Sequence, residues 1–393
     1  MLPEDMTSNE DEIDLEEQAR VEAKLAADRD SALKDLAQRI ESKFQERRAN
    51  RQIKEQEWLE CTRLFLGNLS SDVNGNRENP FIANNKTPTD RPMPNIVSAK
   101  CDIAISQCQA MQFSTGEKNW DLWAAPNETN PQNIQAAELM SLEIETQLDH
   151  CKYGFNARQA ITDRVILGTG ILKGPVNTGT LCRQYAPAED GITWLPTVKV
   201  RYYPEILRVN PWFFYPDDSV AEFKKCQDSI EVHPMSAVEL AQYKQHEGFD
   251  AAVIAEILKE KPAEYEIKAF SEYSKLTNSN PYLFKNKYCL LEYHGPITVD
   301  EMQTIGIEPT YDSPTEEYYG EIWVCQGKVV RIQLENIEGS FEIPYAASIW
   351  KSDPCSVFGF GMPLTMRDAQ RVATATWHMI LDNSSLSSGP QAA

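Results

Sequence analysis

Apolar residues recur at helical spacing near the start of the chain: Leu25, Leu33, Leu36, Ile40 and Phe44. Positions three and four residues apart lie on one side of a helix, so the pattern predicts a long amphipathic helix that continues to Leu66. The first thirty residues carry eleven acids against three bases, so this helix begins in a strongly acidic segment. A solvated helix has this pattern, and so does a helix that lies on a neighbouring subunit.

Helical periodicity returns further along the chain. One runs from Ile96 to about Phe113, and another begins near Asn133 and ends before residues 168–170. Ser236 and Glu239 have the spacing of a capping box, which opens a helix, and the helical pattern resumes at 251 and ends near 261. The last helix is expected over 364–382, because Pro363 suits a first helical turn.

A period of two, typical of strands, appears in the second half of the chain. Residues 198–202 alternate as a half-buried strand does, and Pro204 indicates an edge position or a bend, because proline has no N–H to pair with a neighbour. Residues 265–345 are predicted to be mostly β, with a hairpin that turns at Gln326-Gly327. We therefore expect an α+β fold of two or three packed units.

The charge balance excludes several classes of protein. The 393 residues include 38 basic and 59 acidic side chains, for a formal net charge of −21. A protein that coats nucleic acid through a basic patch needs Lys and Arg against phosphate, so this class is disfavoured. No uninterrupted apolar run reaches the ~18 residues of a membrane span, and the N-terminus is acidic where a signal peptide is basic and then apolar. The sequence predicts a protein made in the cytoplasm, without a membrane partner.

Catalytic and zinc signatures are absent from the sequence. None of the nine cysteines forms a CxxC pair, and no histidine has a partner at a recognisable catalytic spacing. Cys101 and Cys108 lie in an apolar helical pattern and are expected to be small core residues. The sequence thus predicts a protein that is not an enzyme and that binds no metal and no cofactor.

Two aspartates are the strongest exception to that prediction. Asp217 and Asp218 are followed by three residues that could complete a divalent-metal site of the nuclease type: Asp228, Glu231 and His233. The pair also follows Pro216, a context in which aspartate stabilises turns through local hydrogen bonds, and we expect the turn.

Two other motifs have a structural and a functional interpretation. Residues 168–174 (GTGILKG) are rich in glycine, but they follow a helix instead of opening one, so they are expected to turn the chain and not to hold phosphate. The aromatic run at 212–215 could stack nucleic-acid bases. No basic residues are interleaved with it, and core packing is expected.

Three passages occur in a characteristic order along the chain. They are a helix that leads through Gly168-Thr169-Gly170 into a strand, residues 209–217 (VNPWFFYPD), and residues 358–363 (FGFGMP) leading into 368–370 and 382–385. Together they resemble portal proteins, the head-to-tail connectors of tailed bacteriophages, and are most similar to those of short-tailed phages. The resemblance covers roughly residues 50–393.

The resemblance implies a portal-like subunit with a mixed α/β wing, long stem helices and a small β-rich clip, while the family's crown has no counterpart in this chain. The implied boundaries are an acidic N-terminal helical arm at 1–60, the wing at 61–235, the first stem helix at 236–262, the clip at 263–345, and the second stem helix with the start of the channel loop at 346–393.

The family's function then implies the partners. The chain would form a ring of twelve copies at one capsid vertex of the virion, through which double-stranded DNA passes without specific binding during packaging and ejection. The other implied partners are the terminase packaging motor, the tail adaptor proteins, and the major capsid and scaffolding proteins. Two alternatives stay open: a metal-dependent phage nuclease that uses Asp217 and Asp218, and a head-tail adaptor without a channel.

Two groups of residues are candidates for roles in such a ring. Arg367 and Arg371 lie four residues apart and share a helix face; they would meet phosphate or pair with acids of the neighbouring subunit, and we expect the pairing. The segment after the last helix is polar and uncharged, which suits a loop that touches DNA without holding it: Asn383, Ser384, Ser385, Ser387 and Ser388.

Overall fold

The protein is α+β in the computed structural model, as predicted. The structure describes residues 7–67, 94–113, 122–124, 130–187, 194–263, 268–277, 286–306, 317–334 and 343–388. The chain divides into two compact units, and each is assembled from three separate stretches. Unit 1 comprises Met1–Ala49, Gln227–Tyr265 and Phe284–Ile343, and unit 2 comprises Asn50–Cys226, Glu266–Leu283 and Pro344–Ala393.

The described elements are as follows. In chain order the helices are α1 (Thr7–Asn50), α2 (Gln52–Leu66), α3 (Ile96–Gln112), α4 (Pro131–His150), α5 (Tyr153–Leu167), α6 (Ala237–Gln242), α7 (Ala251–Ile257), α8 (Lys268–Leu276), α9 (Val299–Ile305), α10 (Met362–Thr365) and α11 (Arg367–Ser388). The strands are β1 (Thr169–Pro187), β2 (Trp194–Val209), β3 (Phe214–Pro216), β4 (Ser229–Met235), β5 (Tyr288–Thr298), β6 (Glu317–Cys325), β7 (Lys328–Leu334), β8 (Tyr345–Ile349), β9 (Lys351–Asp353) and β10 (Ser356–Phe360).

Unit 1 is organised around an antiparallel sheet in which β4, β5, β6 and β7 lie side by side in that order. Strands β6 and β7 form the predicted hairpin, and Gln326 and Gly327 both have positive φ (50° and 72°), as a tight hairpin turn requires. Helices α6 and α7 cover one end of a sheet face, where a buried apolar cluster forms: Leu240, Ile254, Ile257, Tyr288, Leu290, Trp323, Cys325 and Val330.

Helix α1 is tied to this unit by polar contacts near its C-terminus. The Gly327 N–H donates to Glu41 at 2.7 Å, next to the hairpin turn. Lys43 lies 2.7 Å from one carboxylate oxygen of Asp228, and Arg47 donates to the other oxygen. Because Arg47 and Asp228 are both buried, this ion pair fixes the helix to the sheet unit within the protein interior.

Unit 2 contains a sheet with the strand order β2-β1-β8. Strands β1 and β2 form a long antiparallel ribbon that pairs Ile171 with Val209 at one end and Pro187 with Trp194 at the other. Pro204 lies in β2, at the edge of this sheet, so the predicted edge position is confirmed. Buried Trp58 of α2 packs edge-on against Trp212 and Phe358 in the unit's aromatic core.

Several predicted helices differ from the structure. The helix expected over 236–262 is wrong as one continuous stem helix: the capping box at Ser236 is present, but α6 ends in a 3₁₀ turn, Gly248 has a φ of 82°, and Asp250 caps a separate helix α7. The long helix before Gly168 is divided into α4 and α5 at Lys152, which has a φ of 56°. The predicted clip segment holds helices α8 and α9 besides its strands.

The first and the last predicted helix also differ from the structure. Helix α1 gives way to α2 at Arg51, so the arm and its continuation are two helices. The last helix begins as α10, is interrupted at Met366, and continues as α11 to Ser388. The division into arm, wing, stem, clip and channel loop stays a prediction.

Candidate functional site

Two histidines and three glutamates lie close together in unit 1, on one face of the sheet: Glu231, His233, Glu292, His294 and Glu321. They come from the three neighbouring strands β4, β5 and β6. In both β4 and β5 a glutamate is followed two residues later by a histidine, so both side chains of each pair point to the same face. We call these five residues the His/Glu cluster.

Strand register brings the members of the cluster together. Glu231 stands directly opposite Glu292 across β4 and β5. His294 stands directly opposite Glu321 across β5 and β6. Side chains in such cross-strand positions have Cβ atoms about 4.5–5.5 Å apart, so five polar groups converge in a small area.

Glu292 is the centre of the His/Glu cluster. Its residue is 2% exposed, and each of its carboxylate oxygens has a histidine nearby. His233 Nε2 lies 2.7 Å from Glu292 Oε2, and His294 Nε2 lies 2.9 Å from Glu292 Oε1. His233 Nε2 is also 3.8 Å from Glu231 Oε2. The buried Glu292 carboxylate therefore lies between the imidazoles of His233 and His294, and the Glu231 carboxylate also approaches His233.

The side chains around the His/Glu cluster differ between its Glu231–His233 side and its His294–Glu321 side. The Trp323 ring stacks on the His233 ring with a centroid distance of 5.2 Å and an interplanar angle of 17°. Trp323 also donates its indole N–H to Glu321, and Arg331 Nη1 lies 3.2 Å from Glu321 Oε1. The Glu321 side thus has a cationic partner. The side formed by Glu231, His233 and Glu292 presents carboxylate oxygens and one imidazole, a donor set suited to divalent transition metals.

Asp217 and Asp218 form a turn, as expected. Asp217 Oδ1 accepts hydrogen bonds from the Ser219 backbone N–H (3.0 Å) and hydroxyl (2.7 Å), and Asp218 accepts one from Asn50 at 2.6 Å. Among the described residues, neither aspartate belongs to a group of potential metal ligands. Two of the downstream residues considered with them, Glu231 and His233, belong instead to the His/Glu cluster.

Arg367 and Arg371 share a face of α11, as their spacing predicts. Arg367 Nη1 lies 3.6 Å from Glu60 Oε2, and Arg371 Nη2 lies 3.5 Å from Glu60 Oε1. Arg371 also approaches Asp368 of its own helix at 3.9 Å. Both arginines therefore have an acidic partner within the same chain, and pairing with a neighbouring subunit stays a prediction.

The predicted channel loop is wrong in its conformation. Asn383, Ser384, Ser385 and Ser387 lie within α11 and are exposed, and Ser388 is the last residue of that helix. The helix continues through this polar segment while its serine hydroxyls bond to its own backbone: Ser385 donates to the Asp382 carbonyl (2.8 Å) and Ser387 to the Ser384 carbonyl (3.0 Å). Contact with DNA stays a prediction.

The glycine-rich segment and the aromatic run have the structural roles that were expected. Gly168 ends α5 with a φ of 97° and turns the chain into β1. The aromatic run packs into the core of unit 2, where Trp212, Phe214 and Tyr215 are buried and Phe213 is half-buried. Of the two cysteines assigned to a core, Cys101 is buried as expected, whereas Cys108 is half-buried, so the assignment is wrong for Cys108.

The His/Glu cluster was missed in the sequence, although a signal for it exists. The tripeptides EVH (231–233) and EYH (292–294) repeat a Glu-x-His pattern, each within a strand. A single Glu-x-His pattern does not by itself indicate a functional site. The pattern becomes meaningful only when β4 and β5 are known to be neighbours in this register, which the sequence does not reveal.

No protein-family model matches the chain, and no curated protein matches it. In the part of the chain that the structure describes, no helix combines the length and the apolar character needed to cross a membrane.

Proposed function

We propose that this chain is a portal-protein subunit that forms a ring-shaped DNA channel at one capsid vertex. The ring would serve genome packaging, ejection and head-tail joining, and would sit in the virion after assembly in the host cytoplasm. The proposal rests on the three sequence passages that resemble the family and on two features of unit 2. The observation that carries it is an exposed apolar stripe on α11.

The first feature is that the three passages meet in space. The Gly359 N–H donates to the Thr169 hydroxyl at 2.9 Å, which joins the third passage to the first. The Trp58 ring contacts Trp212 of the second passage (centroids 5.2 Å apart) and Phe358 of the third (5.1 Å). Residues that are far apart in sequence thus belong to one packed region of unit 2, which supports treating the three passages as one motif.

The second feature is the exposed stripe. Val372, Met379 and Leu386 recur every seven residues along α11, so they lie on one side of the helix. They are 66%, 58% and 78% exposed. The opposite side of the helix is anchored, because Gln370 is buried and bonds to the Pro94 carbonyl at 2.6 Å and to the Ile96 N–H at 3.0 Å.

A heptad-spaced apolar stripe is what an identical helix of a neighbouring subunit would cover in a ring. Arg367 and Arg371 lie on the same helix, so neighbouring acids could reach them as well. The net charge of −21 also suits a channel, because a wall of lysines and arginines would bind phosphate and slow a sliding duplex.

The test compares the oligomeric state of the unaltered protein with that of two matched valine variants. Electron microscopy and mass photometry should show closed rings with an open axis for the unaltered protein. Val372→Glu should abolish rings, because it places a charge in the apolar stripe. Val238→Glu should leave rings intact, because Val238 is similarly exposed (70%) but lies on α6 of unit 1.

The outcomes separate the proposal from its alternatives. A stable monomer or two-fold dimer at micromolar concentration contradicts the ring, and ring formation by Val372→Glu contradicts the role of α11. Binding to capsid or tail proteins without rings favours the head-tail adaptor. Magnesium-dependent DNA cleavage that Asp217→Asn abolishes favours the nuclease.

A further inference from the structure

We propose that Glu231, His233 and Glu292 form a binding site for one divalent transition-metal cation, with Zn²⁺ as the probe ion. The inference is independent of the ring, because all three residues belong to the sheet of unit 1. It goes beyond the portal proposal, which implies no metal. A bound ion would link β4 to β5, since each strand supplies at least one ligand.

The donor atoms already have nearly the spacing that a cation needs. One atom from each residue lies within 4.8 Å of the others. Bonds of about 2.0–2.1 Å in a tetrahedral site place neighbouring ligand atoms about 3.3 Å apart. The distances from His233 Nε2 to Glu292 and Glu231, 2.7 and 3.8 Å, lie on either side of that value. Small side-chain rotations are therefore enough to admit the ion.

The charge arrangement favours a cation at this place. Glu231 and Glu292 are directly opposite each other across two strands, and like charges in that position destabilise a sheet. Glu292 is 2% exposed and Glu231 is 9% exposed, so water screens the pair poorly. A divalent cation between the two carboxylates would offset their repulsion.

Neighbouring side chains hold the ligands in place. His294 lies 2.9 Å from Glu292 Oε1, which directs the other oxygen, Oε2, towards His233. The stacked Trp323 ring fixes the plane of the His233 imidazole. Metal sites are commonly supported by such outer contacts, which set the orientation of the ligands. His294 and Trp323 are therefore positioning residues.

The position of Arg331 decides which side of the His/Glu cluster takes the ion. Its guanidinium lies 3.2 Å from Glu321, so a second cation between Glu321 and His294 would be repelled. On the other side, the His233 side chain is 27% exposed and offers a route for the ion from solvent. Three protein ligands leave the fourth position of a tetrahedral zinc site open, and water would complete the coordination there.

The experiment is a zinc titration of the full-length protein after chelator treatment, read out by competition with a chromophoric chelator. One Zn²⁺ per chain should bind. His233→Gln should weaken the affinity about tenfold or more, because losing a residue that only orients a ligand already costs about 10–100-fold in metal affinity, and Glu231→Gln should do the same. The matched control is His246→Gln, which removes a half-buried histidine of the same unit outside the cluster and should leave the affinity unchanged.

Two further measurements distinguish this site from zinc bound to the unfolded chain or to a surface thiol. Zn²⁺ should raise the temperature of unfolding of the unaltered protein but not that of His233→Gln, because an ion that binds only the folded state stabilises it. Cys355→Ser should bind zinc normally, although Cys355 is an exposed thiol.

The proposal is overturned by any of three results. They are the absence of saturable zinc binding, an affinity that His233→Gln and Glu231→Gln leave unchanged, and binding that disappears in Cys355→Ser. Because His233 is partly exposed, its glutamine variant should fold, and its far-ultraviolet circular dichroism in the absence of metal checks this.

Discussion

Replacing Asp228 with asparagine should lower the free energy of unfolding by about 3 kcal/mol at neutral pH. Asp228 is 4% exposed and accepts hydrogen bonds from Lys43, Arg47 and the Tyr293 hydroxyl. The asparagine keeps the shape of the side chain, but it removes the negative charge and turns an acceptor into an amide donor. The Arg47 guanidinium then remains buried and loses the Asp228 carboxylate as a partner.

The expected magnitude follows from the burial of each partner. Removing one member of a buried ion pair typically costs about 3–5 kcal/mol, because the other charge is left without compensation. Arg47 is 8% exposed, so water compensates its charge poorly once Asp228 is neutral. The Lys43 side chain is 36% exposed and can turn towards water, so its lost pair adds little. The sum lies at the lower end of the range.

Urea unfolding of the variant and of a matched control measures the difference. The control is Glu301→Gln, which removes the partner of Arg39 at 3.1 Å, also between α1 and the remainder of unit 1. Those two side chains are 33% and 28% exposed, so the loss should stay below about 1 kcal/mol. If Asp228→Asn destabilises the protein no more than Glu301→Gln does, the argument from burial is wrong.

The same pair predicts a pH dependence. Burial alone would raise the pKa of the Asp228 carboxyl, but Arg47 and Lys43 together hold this pKa below its ordinary value. A carboxyl with a lowered folded pKa contributes stability above the unfolded pKa of about 3.9, and loses it as the pH falls through the folded pKa. The difference between the unaltered protein and Asp228→Asn should therefore be constant from about pH 5 to 8 and shrink below pH 4.

Two further predictions concern a glycine and the cysteines. In urea unfolding, Gly168→Ala should lower the free energy of unfolding by about 3 kcal/mol or more, because the backbone has a φ of 97° and a Cβ there would lie 2.4 Å from the Gly359 carbonyl oxygen. The control Gly306→Ala, at a φ of 81° with open space around it, should lower it by only about 1–2 kcal/mol. Equal losses would contradict the close approach at Gly168. Ellman's reagent at pH 7.5 should label exposed Cys355 before unfolding, but should not label Cys61, Cys289 or Cys325, because burial raises the pKa of each of these three thiols to about 12. Modification of any of these three thiols in the folded protein, located by peptide mass spectrometry, would contradict this.

Features set by neighbouring residues could be predicted from the sequence. The capping box at Ser236 and the positive-φ turn at Gln326-Gly327 need only a few consecutive side chains to define them, and both are present. The helix end at Gly168 is of the same kind, because glycine adopts a left-handed conformation easily. These local signals support the α+β assignment without any knowledge of the tertiary structure.

Features set by distant residues could not be predicted. The break between α6 and α7 depends on the packing of both short helices against Tyr288 and Leu290 of a strand far along the chain. The polar segment after Asp382 resembles a loop in composition, yet it continues α11. The His/Glu cluster depends on the register between β4 and β5, and periodicity within one strand contains no information about its neighbour.

The three-stretch composition of unit 1 has a consequence for synthesis of the protein. Arg47 and its partner Asp228 are separated by 181 residues, and the strands that complete the unit come later still. At about 5–20 residues per second, a ribosome needs roughly 10–40 s to extend the chain from one to the other. Throughout that time the face of α1 that the folded protein buries, Leu36, Ala37, Ile40 and Phe44, has no sheet to cover it. The nascent chain therefore presents an apolar helix to chaperones, or to the α1 helices of other nascent copies on the same messenger RNA, before its own strands exist.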